Sequence, residues 1–439
     1  MKAIRNSILL LLVAFAMTGC MRTVDQMYCL PKRSETYNNL QSAIDEAMYG
    51  LSYCAPLSGE NQQSVQMADL DGDGRNEYLL FAKSSMDEKP LRILVFQNEN
   101  GTFHNIDTLE CSGSAFDQVE YVDLDGKGGV EIIVGRQVSD QAIRSVSVYS
   151  HFDGELMQLI TVNYAKFVTA DLNEDGLKDL FILCAGETET DNGIAELYSM
   201  HSGTIERYNE VNLSRPIDQL KRILVGSVDG GQAAIYTACA VGEASLVTDI
   251  FVLKEGLLTN LNHSDGSDTS VQTLRNFYVY ANDIDNDSVV ELPRLIAMQG
   301  ANPSIAVDTN QLICWYAINA EGEEIVKMHT YHNFVGGWYV QLGVEWADRV
   351  FVDAESNEYT FYVWNEAGTA CKKVATIYAF SGQNREAQAE AEGYVALYKT
   401  DTVIYAATLE AVAADYELNE EVIKSSFRLI QQEWKTGET

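Results

Sequence analysis

Histidine is scarce in this chain, basic residues are outnumbered two to one, and proline is nearly absent. Six histidines in 439 residues, none in an HExxH pattern, leave no zincin-type metal centre. His329 and His332 are three apart in a strand-like stretch, which puts them on opposite faces and argues against a shared metal. The eight cysteines are widely spaced with no CxxC pair, against a zinc ribbon or a dense disulfide framework. Only Cys29 and Cys54 lie close enough in sequence to suggest a clip, and Cys184 and Cys239 sit in apolar runs as small hydrophobes. No GxSxG elbow, Walker loop or GxGxxG after a strand is present, so hydrolase, P-loop and dinucleotide chemistry lack their carriers. Against 64 acids stand 30 basic residues, a net charge of −34. A surface of that sign repels nucleic acid and anionic headgroups and favours divalent cations.

No apolar run beyond the first twenty residues is long enough to span a bilayer. The opening MKAIRNSILLLLVAFAMTGC has two basic residues, an apolar run from Ile8 to Met17, and Thr18-Gly19-Cys20. This is the layout of a secretory signal peptide, too short for a comfortable span. Its Met-Thr-Gly-Cys ending resembles a bacterial lipobox, with Met17 where Leu is usual. The resemblance implies that residues 1–19 are removed and that Cys20 is lipidated as the mature N-terminus. The mature chain then loses Lys2 and Arg5 and no acid, so −34 becomes −36.

What is abundant is aspartate in one recurring pattern. DLDGDGRNEYLLFA, residues 69–82, places Asp69, Asp71, Asp73 and Glu77 at positions 1, 3, 5 and 9, with glycine at position 6. Oxygens so spaced can wrap one hard cation, with the Arg75 carbonyl at position 7 as a further ligand; calcium takes six to eight oxygens. The plain alternative is a solvated acidic turn, since Asp and Gly are ordinary turn residues. The pattern recurs at Asp123 (DLDGKGGVEIIVG), Asp171 (DLNEDGLKDLFIL) and Asp283 (DIDNDSVVELPRL). Start-to-start distances of 54, 48 and 112 predict a worn copy near 225, where VGSVDGGQAAIYTA supplies a glycine turn and an apolar run without ligands. Each unit reads as about four short strands broken by Gly, Asn and Asp turns. A period near 50 is the signature of a propeller or solenoid.

The DxDxDG loop between strands, repeated at this period, resembles FG-GAP/VCBS repeats, the blades of integrin-type β-propellers, over about residues 60–335. The resemblance implies a mainly β fold, a propeller of about five to seven blades, with the stretch 312–331 able to help build a sixth. It implies structural calcium at three full sites. These are Asp69, Asp71, Asp73, Arg75 and Glu77; Asp171, Asn173, Asp175, Leu177 and Asp179; and Asp283, Asp285, Asp287, Val289 and Glu291, where Ser288 replaces the turn glycine. The second copy keeps Asp123, Asp125 and Glu131, but Lys127 puts an ammonium at position 5, which makes it a degenerate loop that can neutralise itself.

The flanks read differently. Residues 20–58 form a tether and a short amphipathic helix capped by Ser34, with Leu40, Ile44 and Met48 on one face and Gly50 at its end. Residues 59–335 are the repeat region. From 336 to 439 the period is lost, and strands plus two short helices predict a C-terminal α+β domain. Those helices are one after Asn384 and a final one after Asn419 carrying Val422, Ile423, Phe427, Ile430 and Trp434. With the loop carboxylates engaged in cation sites, no acid–base pair remains for glycoside hydrolysis. The expected role is a lipid-anchored module on the extracytoplasmic face of a bacterial cell membrane, binding a protein or carbohydrate ligand and no nucleic acid. The rival readings are an extracytoplasmic enzyme degrading polysaccharides or phosphate esters, and a purely structural envelope protein.

Overall fold

The computed structural model describes residues 34–430 apart from 139–142, 153–154, 189, 262–271, 299–310 and 344–345. The signal peptide, Cys20, Cys29 and Trp434 lie outside the described residues. Among the described residues no helix is long and apolar enough to cross a membrane.

The described chain is mainly β, folded into six antiparallel sheets of four or five strands. The first sheet holds Val65–Ala68, Glu77–Ser84, Leu91–Glu99 and Thr102–Cys111, with Leu51–Tyr53 added beside Glu77–Ser84. The second runs Ala115–Val122, Glu131–Gln137, Arg144–Phe152 and Glu155–Tyr164. The third and fourth repeat this up-and-down order through Lys166–Asn212 and Leu220–Asn260. In each the central strands are apolar on both sides, as in YLLFA and LFILC, because both faces of the sheet are covered.

The covering sheets follow one another in chain order. Phe81 and Val95 of the first sheet meet Phe116 and Val134 of the second, with Phe81 and Phe116 edge-on at 5.1 Å. Ile133 and Val148 meet Ile182 and Met200 of the third. Phe181 and Leu197 meet Ile235 and Phe251 of the fourth. Tyr236 and Val252 meet Leu292 and Tyr316 of the fifth, and Trp338 and Val340 meet Val352 and Phe361 of the sixth. Truncating one of these fully buried aromatics to alanine costs about 3–5 kcal/mol.

Among the described residues no apolar cluster joins the first sheet to the fifth or sixth, and no closed ring is seen. The outer face of the first sheet is covered by a helix instead. Leu80, Ala82, Leu94 and Phe96 alternate with the residues that face the second sheet, and they pack against the helix Glu35–Ala47 through Ile44, Leu40 and Met48. The helix starts as expected, Ser34 Oγ accepting the Tyr37 N–H at 3.1 Å.

Two expectations for the later chain change. The stretch 312–331 supplies the central strands Gln311–Ile318 and Glu324–Asn333 of the fifth sheet and is no part of a sixth. That sheet continues past residue 336 with Trp338–Leu342. The final helix is also shorter than its pattern. Asn419 caps it, accepting from the N–H groups of Glu421 and Val422, but it stops at Ser426. Phe427–Leu429 then pairs as a strand with Trp338–Val340, and Phe427 stacks on Trp338 at 5.3 Å. Burying an aromatic against tryptophan outweighs a helix propensity worth a fraction of a kcal/mol per residue. The sixth sheet, Val350–Glu355, Glu358–Trp364, Cys371–Ser381, Val403–Leu409 and Val395–Lys399, carries the short helix Arg385–Ala389, whose Asn384 makes no side-chain cap bond.

Candidate functional site

Each acidic loop lies ahead of an apolar strand and is tied by the same hydrogen bonds. The position-1 aspartate grips its own turn. Asp69 accepts from the N–H groups of Gly72 and Gly74 (2.8 and 2.9 Å), and Asp123 from Gly126 and Gly128 (2.7 and 3.1 Å). Asp171 accepts from Asp175 and Gly176 (3.1 and 2.9 Å), and Asp283 from Asp287 and Ser288 (3.0 and 2.9 Å). Where the fifth copy lacks glycine, Ser288 takes the left-handed conformation itself, at φ +73°.

The position-9 acid is the anchor at the other end. Glu77, Glu131, Asp179 and Glu291 are 2%, 4%, 1% and 0% exposed, and each accepts the N–H of the position-2 residue: Leu70 (3.0 Å), Leu124 (2.8 Å), Leu172 (3.2 Å) and Ile284 (3.0 Å). Burial holds all four above the usual carboxylate range. Glu291 is raised to about 7 by burial first, with the charges of Asp285, Asp287 and Asp283 adding to the shift. Asp285 is itself raised, by burial and by the same neighbours.

Three loops bring positions 1, 3 and 9 together. In Asp69/Asp71/Glu77, Asp123/Asp125/Glu131 and Asp283/Asp285/Glu291, one carboxylate oxygen from each residue lies within 4.8 Å of the others. These sets match the oxygen donors that a hard divalent cation takes. Position 5 stays outside the trios, contrary to the 1-3-5-9 expectation. Asp73 is drawn to Arg75, which binds it through both backbone N–H and guanidinium and holds its carboxyl below the usual range. Arg75 thereby acts through its side chain as a counter-charge. Asp287 accepts the Val289 N–H at 2.8 Å.

The second and third loops differ at position 3 and in their counter-charges. The second, read as degenerate, has its three acids gathered. Lys127 Nζ reaches one of them, Asp125 Oδ2, at 2.5 Å. The third, read as complete, holds two acids and an amide at positions 1, 3 and 9. Its position-3 residue is an amide, and Asn173 Nδ2 donates to Asp175 Oδ2 (3.0 Å) and Asp179 Oδ1 (3.4 Å). Ser199 Oγ also donates to Asp179. The Leu177 N–H caps Asp175 at 2.9 Å, while the Leu177 side chain stands 3.2 Å from where a Cβ on Gly126 would lie.

That last contact belongs to a series the sequence did not reveal. The Val130 N–H donates to Asp69 O at 3.0 Å, and a Cβ on Gly129 would fall 2.6 Å from Leu70 O, so the first two loops touch. The Ala233 N–H donates to Glu174 Oε1 at 3.1 Å, joining the third loop to the worn fourth turn. The Val290 N–H donates to Ser227 O at 3.0 Å, joining that turn to the fifth. The worn turn pairs its acid with a base, Asp229 Oδ1 lying 2.5 Å from Lys327 Nζ. The loops therefore form one continuous acidic edge across five sheets.

Cys239 is buried as expected, whereas Cys184 is half-buried with its thiol donating to Asn163 O at 3.2 Å. His332 is buried and stacked on Tyr339 at 5.0 Å, with His329 half-buried in the same strand.

No protein-family model and no curated protein matches this chain. Among solved structures it is similar to an exotype rhamnogalacturonan lyase, YesX, at 15% identity and a TM-score of 0.28, covering 74% of this chain and 65% of that one. A rhamnogalacturonan lyase from Bacillus licheniformis matches at 12% identity and a TM-score of 0.28, covering 74% of this chain and 72% of that one. A protein from Lactobacillus plantarum matches at 10% identity and a TM-score of 0.28, covering 73% and 86%. At that score the likeness assigns no activity.

Proposed function

We propose that this protein is a lipid-anchored, extracytoplasmic binding module in which calcium stiffens a row of propeller-type blades of the FG-GAP/VCBS kind. The observation that carries the calcium reading is the fifth loop. Glu291 Oε1 is buried and among the described residues has no hydrogen-bond partner, beside Asp283 and Asp285 with no base in the loop. An unpaired buried carboxylate among like charges is costly, and a divalent cation relieves both burdens at once. The same carboxylates are held by backbone N–H groups within their own turns, an arrangement suited to a static ion and poorly suited to proton transfer. That favours binding of a protein or glycan ligand at the cell surface over hydrolysis.

Calorimetric titration of the mature protein with calcium tests the metal. Extracellular calcium modules bind at about 0.1–1 mM, and no uptake at millimolar calcium would end this reading. For the anchor, wild type should enter the detergent phase and Cys20→Ser the aqueous phase, since several acyl chains on one residue hold a protein at a membrane where one does not. A glycan array and binding to isolated cell envelopes address the ligand.

A further inference from the structure

A cavity of about 740 Å³ opens beside the first two acidic loops, bounded by the end of the strand Arg144–Phe152 and by the turn that follows Ile194–His201. Its two walls are unlike. Phe152, Met157, Leu159 and Met200 form the apolar one, and Phe152 and Met157 are still 63% and 51% exposed. Apolar side chains that large and that open, gathered at a cavity, mark a surface where a partner gains area. Methionine also adapts its shape to whatever covers it.

The other wall is acidic, with Asp71, Asp125 and Glu131 against one base, Lys127. Asp153, the one charged residue in the neighbouring stretch 153–154, has the same sign as this wall. Glu131 spends its oxygens on the Leu124 N–H and Ser150 Oγ, at 2.8 and 2.9 Å. Asp71 is exposed, and Asp125 is reached by way of Lys127, whose Nζ lies 2.5 Å from Asp125 Oδ2. The Lys127 side chain is 73% exposed and that of Asp125 11%, so the lysine shields the carboxylate from water. An ion pair with one partner this open is held weakly and can be exchanged for another cation. The chain therefore already carries, on its own side chain, the group that this wall accepts.

A carboxylate wall facing an apolar one suits a ligand that is basic on one side and apolar on the other. A small amine inside the cavity would leave the exposed parts of Phe152 and Met157 in water, whereas a chain that runs on past the cavity covers them. We propose that this cleft docks a basic amphipathic peptide segment of a partner protein. A lysine or arginine of the segment takes the place of Lys127 on Asp125, beside Asp71, and its apolar side chains pack on Phe152, Met157 and Met200. This deepens the binding-module reading by naming a class of partner, and it needs no calcium. A glycan or envelope ligand bound elsewhere would leave that reading standing while this site failed.

The test is fluorescence anisotropy on the mature protein in chelator, where the fate of the calcium reading cannot affect the outcome. The probes are a labelled peptide of lysine and leucine in amphipathic helical order, its lysine–serine and glutamate–leucine counterparts, and spermidine. The lysine–leucine peptide should bind saturably at one site per chain, and more weakly as salt rises. The lysine–serine peptide and spermidine should be at least tenfold weaker, and the glutamate–leucine peptide should not bind. Phe152→Ser and Met157→Ser, exposed positions where folding is little affected, should each weaken the first peptide threefold or more. Lys127→Met should tighten it threefold or more by freeing Asp125, while Lys399→Met, the same charge change on the sixth sheet, should not. No saturable binding, spermidine or the lysine–serine peptide binding as well as the first, unchanged affinity in Phe152→Ser, or Lys127→Met no tighter than Lys399→Met would each overturn the proposal. So would a dimer of this chain that closes the cleft, seen by sedimentation as a dimer lost in Phe152→Ser.

Discussion

The second and fifth acidic loops share one backbone design and solve the problem of crowded carboxylates in opposite ways. In the second, Lys127 sits on Asp125, and Glu131 has a partner for each oxygen, Leu124 N–H at 2.8 Å and Ser150 Oγ at 2.9 Å. In the fifth, Glu291 keeps one oxygen unpartnered at full burial, and the nearby Lys327 is committed to Asp229. The first loop lies between them, with Arg75 serving one of its acids. The turn itself therefore does not demand an ion. Its demand depends on whether side chains two positions away, or on the neighbouring strand, have already supplied the charge and the protons.

The largest effect should come from Glu291→Gln. Removing a buried charge whose pKa stands near 7 rather than 4.5 should stabilise the chelated protein by about 1–3 kcal/mol. In calcium the same variant should be less stable than wild type, because it has lost a ligand. Chemical denaturation with and without chelator reads the crossing of the two curves, and parallel curves would remove the fifth loop as a calcium site. Next comes Lys127→Asp, which turns a self-neutralised loop into one short of a cation. At 1 mM calcium and a site of about 0.1 mM, the added stabilisation is about 1.4 kcal/mol, and calorimetry should count one more ion than in wild type.

A smaller effect is expected from pH. The position-9 acids are all raised in the fold, Glu291 to about 7, so the folded protein binds more protons than the unfolded chain above the ordinary carboxylate range. The stability this gives the metal-free protein is therefore fully present near pH 4.5 and is lost as pH rises through 7. Calcium should flatten the decline, and Glu291→Gln should flatten it more than Glu131→Gln; melting temperatures across pH 4.5–8 check both. The smallest effect is Ser150→Ala, which leaves Glu131 Oε1 without its hydroxyl. It should cost about 1 kcal/mol in chelator and less in calcium, making the second loop resemble the fifth.

Much of this was legible in the chain because a repeated loop exposes its own period. The spacings 54, 48 and 112 locate the worn turn at 225–238, and the strand ahead of and behind each loop follows from its apolar run. What stayed hidden were choices made between residues. Spacing cannot tell that Asp73 pairs with Arg75, or that Asn173 donates its amide to Asp175 and Asp179 within the third loop. The helical period after Asn419 likewise gives no warning that Phe427 has Trp338 to stack upon.

The helix Glu35–Ala47 on the outer face of the first sheet has a counterpart at the other end, where Ala389 of Arg385–Ala389 packs with Ile404 and Ala406 of the sixth. A ring has no ends and gains all its contacts together. A row sealed at two ends shares its core only between neighbours, so its melting can begin at either seal and travel inward like a zip. The hydrogen bonds that join the loops along one edge then act as rungs that slow this travel. The N-terminal end of the described row is sealed by a single helix that buries one residue fully, Ile44. Under a pull on the chain ahead of that helix, this is where the row would first come apart.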